Sequence, residues 1–232
     1  MIALSELTCE QATQILSISE DNYQRISDLI FDTDPFIYPA LFGNGCLGKS
    51  NARLLLPSVF ESNLDRMFSK RNLFIAYLNE AVVGIILWHK GSLEWNSSTL
   101  INCAKENNVQ LIENNVVAVQ SEYVESRYNQ NENDQDEALS IINVCVAKDY
   151  RGLGIAHHML SSFIDEHKCE EMELTVLADN SSAIALYRGL GFETSKTTDG
   201  FSLSADKPKC QIMIRDRFVV ERQPNKDKKA GR

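Results

Sequence analysis

The chain has 232 residues, of which 44% are hydrophobic and 24% charged, and its formal net charge is −9 at pH 7. This length accommodates one substantial core, and the ordinary composition excludes fibrous, collagen-like and wholly disordered proteins. Nucleic-acid binding normally requires a basic surface, so the acidic balance argues against it and mildly favours cationic substrates such as amines.

The six cysteines show neither a CxxC pair nor any other spacing typical of metal ligands. We therefore predict reduced thiols and no metal site. The first residues lack the basic segment and apolar stretch of a secretory signal, and the apolar runs are too short for a membrane span. These features predict a cytoplasmic protein without a membrane partner.

The first third of the chain predicts a short strand near residues 13–19 and a helix over 21–31. Apolar residues recur at helical spacing in the latter, and Asp21 is a plausible cap. Two prolines then end the helix. A second helix is expected over 51–67, broken or restarted around Pro57.

A β-hairpin is predicted next. Residues 72–78 and 81–88 are β-rich runs separated by the polar pair Asn79-Glu80, which is typical of a tight turn. Gly84, inside the second run, indicates a bulge or a close approach of another backbone segment.

Residues 92–136 differ in character from both flanks. The stretches 100–109 and 116–128 have helical or mixed periodicity, whereas 129–136 are polar and charged and predict a mobile loop. This block is too short to form its own core, so we interpret it as an insertion in one domain. The expected domain spans residues 1–218, and residues 219–232 form a polar tail.

The remaining chain alternates regularly between apolar runs and amphipathic segments. Strands are predicted over 138–147 and 172–177, helices over 152–167 and 181–190, and a closing hairpin over 192–198 and 211–214. This order predicts an α/β fold with a mixed sheet.

The turn between the first of these strands and its helix predicts an anion site. Free N–H groups at a helix start bind phosphate, Gly152 and Gly154 let the backbone approach the anion, and Arg151 adds charge. The glycines are equally compatible with a simple tight turn. A dinucleotide site fits poorly, because His157 stands where the fingerprint has its third glycine.

Two motifs in the expected order resemble those of the GCN5-related N-acetyltransferase (GNAT) superfamily. Residues 151–156, Arg-Gly-Leu-Gly-Ile-Ala, match its (Arg/Gln)-x-x-Gly-x-(Gly/Ala) pyrophosphate loop. Downstream, residues 174–192 are similar to its strand, Asn, Ala, Leu-Tyr and Gly-Phe pattern.

This resemblance implies a mixed, mostly antiparallel central sheet flanked by helices and splayed at the cofactor-binding strand. It implies acetyl-CoA as cosubstrate and an N-acetyltransferase reaction by direct attack of an amine. The implied cofactor-binding residues are Val144, Cys145 and Val146 on the strand, Arg151, Gly152, Leu153, Gly154, Ile155 and Ala156 in the turn, and Asn180. In structural terms Asn180 is a candidate helix N-cap, and the two roles are compatible.

Tyr187 lies where the family often places the general acid for the leaving thiolate, and a phenol stays neutral at pH 7. A tyrosine packed against the sheet is the alternative. Cys145, within an apolar strand, is interpreted as a packing residue and not a nucleophile. His157 and His158 are expected to face solvent or the cofactor. Glu137 precedes the strand and Glu122 and Glu125 lie in the 92–136 block, but none stands at a position that identifies it as the general base, so no general base is assigned.

The resemblance places the acceptor pocket around residues 32–43 and the 92–136 insertion. Carboxylates and aromatic residues in 32–43 suit a cation with an apolar body, although the aromatics fit a packed loop equally well. The leading hypothesis is a small-molecule primary amine as acceptor. A protein or peptide N-acetyltransferase and a non-catalytic CoA-binding sensor are the alternatives, and a homodimer is left open.

Overall fold

A computed structural model describes residues 6–12, 18–62, 68–91, 97–128 and 138–217. The helices are α1 (Glu20–Phe31), α2 (Ile37–Phe42), α3 (Gly45–Ser62), α4 (Ser97–Glu106), α5 (Glu113–Tyr128), α6 (Ile155–Glu166) and α7 (Ser181–Gly189). The strands are β1 (Leu7–Gln11), β2 (Leu73–Leu78), β3 (Ala81–Lys90), β4 (Leu139–Val146), β5 (Met172–Leu177), β6 (Glu193–Asp199) and β7 (Lys209–Arg215).

The strands form a single sheet of seven in the order β1-β2-β3-β4-β5-β7-β6. Only β4 and β5 run parallel, and all other neighbours are antiparallel. The prediction of a mixed, mostly antiparallel sheet flanked by helices is confirmed. The predicted hairpin is β2–β3, and its turn residues Asn79 and Glu80 have φ of 50° and 65°, values that match the primed turns of tight hairpins.

Helices cover both faces of the sheet. On one face α1 to α5 enclose a core that includes Ile26, Leu56 and Leu100. On the other face α6 packs its apolar stripe against β1 to β4, and α7 contributes residues to the same apolar cluster. The helical spacing of apolar residues in α6 predicted this buried stripe, which comprises Ile155, Met159, Leu160, Phe163 and Ile164.

The first third of the chain departs from the prediction in two places. Strand β1 precedes the stretch 13–19 in which a strand was predicted, and most of that stretch, residues 13–17, lies outside the described residues. The cap of α1 is Ser19, whose hydroxyl accepts from the N–H of Asn22, and Asp21 lies exposed in the first turn. Helix α3 begins earlier than expected, at Gly45, and continues through Pro57 without a break.

The region expected to be an insertion contributes to the main core. Helix α4 packs on α3, α5 packs on α2, and Leu100 and Val116 are fully buried in the same cluster as α1. Each helix therefore gains its stability from the shared core. The polar run 129–136 and the tail 219–232 lie outside the described residues.

Candidate active site

A gap opens in the sheet between β4 and β5. Their parallel pairing covers only Leu139–Ile141 against Met172–Leu174. Beyond that point β4 continues to pair with β3 as far as Val146, while β5 pairs with β7 as far as Leu177. The facing edges of β4 and β5 therefore carry backbone N–H and C=O groups that the sheet leaves unpaired. This is the splay that the sequence predicted.

A β-bulge marks the point where the gap begins. Leu87 pairs with Asn143 and Trp88 pairs with Ile141, so Ile142 is an extra residue in β4. A bulge bends its strand and increases the local twist. It thereby turns the end of β4 away from β5.

Gly84 of β3 permits a close approach on the other side of β4. A Cβ atom at this position would lie 3.2 Å from the carbonyl oxygen of Cys145 and 3.2 Å from the sulfur of Met159. The close approach predicted for this glycine is present. It lets α6 pack tightly over the strand at the level of the gap.

The glycine turn after β4 leads directly into α6. Gly152 and Gly154 have φ of 76° and 82°, in the left-handed region that favours glycine. The first N–H of α6 bonded within the helix is that of His158, to the carbonyl of Gly154. The N–H groups of residues 154–157 are thus the four that a helix start leaves free. Together with the helix dipole, these N–H groups can bind an anionic phosphate group.

The side chain of Arg151 folds back onto the strand. Its Nε donates a hydrogen bond of 2.9 Å to the carbonyl of Val146. Arg151 therefore fastens the turn to the end of β4, a role that the sequence did not predict. Leu153 and the two glycines of the turn are exposed, whereas Ile155 is buried in the core behind it.

Helix α7 begins on the opposite side of the gap. Asn180 caps it, because its Oδ1 accepts from the N–H of Ala183 at 3.2 Å. The N-cap prediction for Asn180 is thus confirmed, and the residue is exposed, so its Nδ2 group is accessible from solvent.

Tyr187 lies on the buried side of α7 and is 8% exposed. Its ring meets Phe192 edge-on at 5.9 Å, and its hydroxyl makes no hydrogen bond with the described residues. Burial, and to a smaller degree the Cys145 thiol, raises the pKa of Tyr187 to about 12. The phenol therefore stays protonated at neutral pH.

Cys145 has the environment of a packing residue. It is 5% exposed, and burial raises the pKa of its thiol to about 11 despite the opposing effect of Arg151. Because the thiolate is the reactive form, this thiol is inert at neutral pH.

A buried polar network that the sequence analysis missed joins the segment after α1 to the bulged strand. The hydroxyl of Tyr38 donates to Oδ1 of Asn143, and Nδ2 of Asn143 donates to the hydroxyl of Thr33 at 2.7 Å. Asn143 is 7% exposed. An amide inside an otherwise apolar run was the available signal, since such a group needs buried partners.

This network holds residues 33–38 against β4. Within that segment Tyr38 is buried in the core, as is Phe42 beyond it, so for these two the interpretation as packing residues is the correct one. Asp34 and Phe36 remain half-exposed beside the gap. Oδ1 of Asp34 accepts from the N–H groups of Phe36 and Ile37, both at 2.7 Å.

Other candidate residues lie away from these groups or outside what is described. His157 and His158 are exposed on the first turn of α6. The side chains of Glu122, Glu125 and Glu137 lie outside the described residues. Within the described ranges, no group of three His, Cys, Asp or Glu side chains is arranged to hold a metal ion. Nor is any described helix both long and apolar enough to cross a membrane.

Comparison with known proteins bears on what this arrangement does. The sequence model described as the Acetyltransferase (GNAT) family matches residues 55–192, more than half of the chain. The chain belongs to the GNAT family of acetyltransferases. The match includes the hairpin, the gap and both motifs, and it confirms the prediction of an acetyl-CoA-dependent N-acetyltransferase. No curated protein sequence matches the chain significantly.

Solved structures agree with this GNAT fold. An N-acetyltransferase from Staphylococcus aureus Mu50 is similar with a TM-score of 0.56 and 14% identity over 89% of this chain and 99% of the other. PH1933 from Pyrococcus horikoshii OT3 is similar with a TM-score of 0.54 and 17% sequence identity, over 90% of this chain and 98% of the other. Arabidopsis thaliana Naa50, in complex with the bisubstrate analogue CoA-Ac-MVNAL, has a TM-score of 0.50 and 15% sequence identity, over 91% of this chain and 99% of the other. At these identities the similarity concerns the fold.

Proposed function

We propose that this GNAT protein transfers the acetyl group of acetyl-CoA to a primary amine of a small molecule by direct attack. The observation that carries the proposal is the gap between β4 and β5, with the glycine turn at its end and Tyr187 across from β4. Family membership supplies the reaction class, and these features supply sites for the parts of the cosubstrate.

The cosubstrate fits the gap as follows. The backbone of Val144, Cys145 and Val146 binds the pantetheine arm through groups that β5 does not pair. The carbonyl of Val146 is not among these groups, because it accepts from Arg151. The N–H groups of the turn from Arg151 to Ala156 bind the pyrophosphate. The side-chain NH₂ of Asn180 donates to the cofactor while its oxygen caps α7.

Tyr187 acts as the general acid in this proposal. The amine attacks the thioester carbonyl, which a backbone N–H of β4 polarises, and the C–S bond breaks. The leaving sulfur takes the proton of the Tyr187 hydroxyl. Burial favours this role because it keeps the phenol neutral, and the hydroxyl has no competing partner among the described residues. No covalent enzyme intermediate is formed, which agrees with the inert Cys145.

The acceptor approaches from the side of residues 32–38. That segment is tied to β4 through Asn143. Its partly exposed carboxylate and aromatic ring, Asp34 and Phe36, suit a small cation with an apolar body. We further propose that residues 1–218 form one domain, since α4 and α5 share the core of α1 to α3, with 219–232 as a tail.

Calorimetric titration with acetyl-CoA, followed by an amine panel with a free-thiol assay, tests this function. The panel contains small primary amines and short peptides with free N-termini. We expect acetyl-CoA to bind and small amines to give the higher kcat/KM. Turnover of peptides alone would favour a peptide N-acetyltransferase, binding without any turnover a sensor. Folded protein that does not bind acetyl-CoA would overturn the proposal.

A further inference from the structure

Asp34, next to the gap, uses only one of its two carboxylate oxygens in hydrogen bonds to the protein. Asp34 binds two backbone N–H groups through Oδ1 and so fixes the start of α2. Its Oδ2 makes no hydrogen bond with the described residues. A free carboxylate oxygen in a half-buried position is costly unless it meets a cation or water. This oxygen is therefore available to a ligand.

The network around Asn143 fixes where this oxygen lies. The neighbouring Thr33 is bonded to Asn143 at 2.7 Å, and Tyr38 is bonded to the same amide. Asn143 directly precedes the β4 segment that faces the gap. Residues on both sides of Asp34 are thus tied to β4, on the face of the sheet opposite α7, which carries Tyr187.

The charges around Asp34 are arranged in a way that suits a cation. Burial, and to a smaller degree the carboxylates of Asp34, Asp179 and Asp199, raises the pKa of the Cys210 thiol in β7 to about 11, so this thiol is neutral at pH 7. Asp34 forms no ion pair with the described residues. Lys49 of α3 is paired with Asp32 at 2.8 Å.

We propose that Asp34 binds the ammonium group of the acceptor through Oδ2 and takes its proton before attack. Phe36, half-exposed beside it and not packed in the main core cluster, contacts the apolar part of the acceptor. This inference rests on the proposed function and adds to it the acceptor-binding group and the base that the sequence did not assign.

The proton balance of the step is complete. The ammonium gives one proton to Oδ2, and the freed lone pair forms the C–N bond to the acetyl carbonyl carbon. The C–S bond breaks with its electron pair on sulfur, which takes the Tyr187 proton. The second nitrogen proton passes through solvent to the Tyr187 oxygen, and Asp34 releases its proton to solvent. One amide, one thiol and one proton are the products of each ammonium ion and thioester.

The protonation behaviour of Asp34 agrees with this role. Burial raises its pKa above the ordinary value, although the two backbone hydrogen bonds oppose the shift. A carboxylate with a raised pKa is a stronger base. Above this raised pKa Asp34 is charged and can accept a proton. Proton transfer from the ammonium to Asp34 should therefore fail as the pH falls below that pKa.

The substitution Asp34→Asn separates this role from capping. Asparagine has the same shape and its Oδ1 accepts the same two N–H bonds, but it carries no charge and takes no proton. Asp21→Asn is the matched control, since Asp21 is exposed at the far end of α1 and the change in net charge is identical.

The binding test uses 2-phenylethylammonium and its neutral analogue 2-phenylethanol, titrated into CoA-saturated protein by NMR. We expect the wild type and Asp21→Asn to prefer the cation by about tenfold or more, and Asp34→Asn to lose this preference, as removal of a charge partner predicts. The inference would be overturned if Asp34→Asn preferred the cation as strongly as the wild type does. It would also be overturned if the wild type showed no preference for the cation over the neutral analogue.

A kinetic test uses the best amine of the panel. Asp34→Asn should raise KM and lower kcat, and it should remove the acidic limb of the pH profile, which a purely structural residue would not govern. Retention of that limb in the variant counts against Asp34 as the base. The affinity of Asp34→Asn for acetyl-CoA, measured separately, should equal that of the wild type. A wild type that does not bind acetyl-CoA would instead count against the proposed function.

Discussion

The hydroxyl of Tyr38 donates a hydrogen bond of 2.5 Å to Oδ1 of Asn143, which lies 105 positions further along the chain. Both residues are buried, and the amide's other end binds Thr33. A bond of this kind orders the segment between α1 and α2 relative to the bulged strand. The shape of the acceptor side is thereby coupled to the gap that serves the cosubstrate.

Removing the Tyr38 hydroxyl should destabilise the protein. Tyr38→Phe keeps the ring in the core but leaves Oδ1 of Asn143 buried without this donor, which costs about 1 to 3 kcal/mol. Chemical denaturation measures the change. Tyr77→Phe is the control, because the Tyr77 hydroxyl makes no hydrogen bond with the described residues. A similar effect of both substitutions would show that the Tyr38–Asn143 bond contributes little.

Tyr187→Phe should lower kcat by about 100-fold, since general acid catalysis contributes on the order of 10² to 10⁴. The ring contact with Phe192 and the affinity for acetyl-CoA should remain. Stopped-flow detection of thiol release and calorimetry measure the two quantities. An unchanged kcat would remove Tyr187 from the mechanism.

Gly152→Ala tests the backbone conformation of the turn. A Cβ atom at Gly152 meets no atom within 4 Å, so the cost comes only from φ of 76° and amounts to roughly 1 kcal/mol or more. We expect lower stability and weaker binding of acetyl-CoA, measured by thermal denaturation and calorimetry.

Gly189→Ala is the matched control for that substitution. Gly189 also has open space around its Cβ position, but its φ is not positive. Alanine at the end of α7 should therefore be neutral or stabilising. A comparable loss at both glycines would contradict the importance of the left-handed backbone at Gly152.

Stability should fall at alkaline pH, and Tyr187 should account for part of the fall. Its pKa is about 12 in the folded protein against 10.0 ordinarily, so the folded state holds the proton more tightly. That contribution is fully present below pH 10 and is lost as the pH rises toward about 12. The shift corresponds to about 3 kcal/mol.

Denaturation of the wild type and Tyr187→Phe at a series of pH values measures this contribution. The variant should lose less stability than the wild type above pH 10. The buried thiol of Cys145, raised from 9.0 to about 11, should begin the decline at lower pH in both proteins. Parallel curves for the two proteins would contradict the assignment to Tyr187.

Features that depend on neighbours in the chain could be predicted from the residues alone. The β2–β3 hairpin follows from a polar pair between two β-rich runs, and the buried stripe of α6 follows from apolar residues at helical spacing. The turn with Gly152 and Gly154 and the motif around Asn180 and Tyr187 were recognisable for the same reason. Local backbone preferences and hydrophobic periodicity depend only on residues that are close together in the chain.

Contacts between distant parts of the chain became visible with the folded structure. Asn143 was one polar residue in an apolar strand until the fold brought Tyr38 and Thr33 to it, and Asp34 was one of several carboxylates until its two oxygens proved to have different surroundings. The continuation of α3 through Pro57 likewise overrides a local preference, because burial of its apolar side in the shared core stabilises the helix. Pairings between segments that are far apart in the chain depend on the packing of the whole core, which no local pattern encodes.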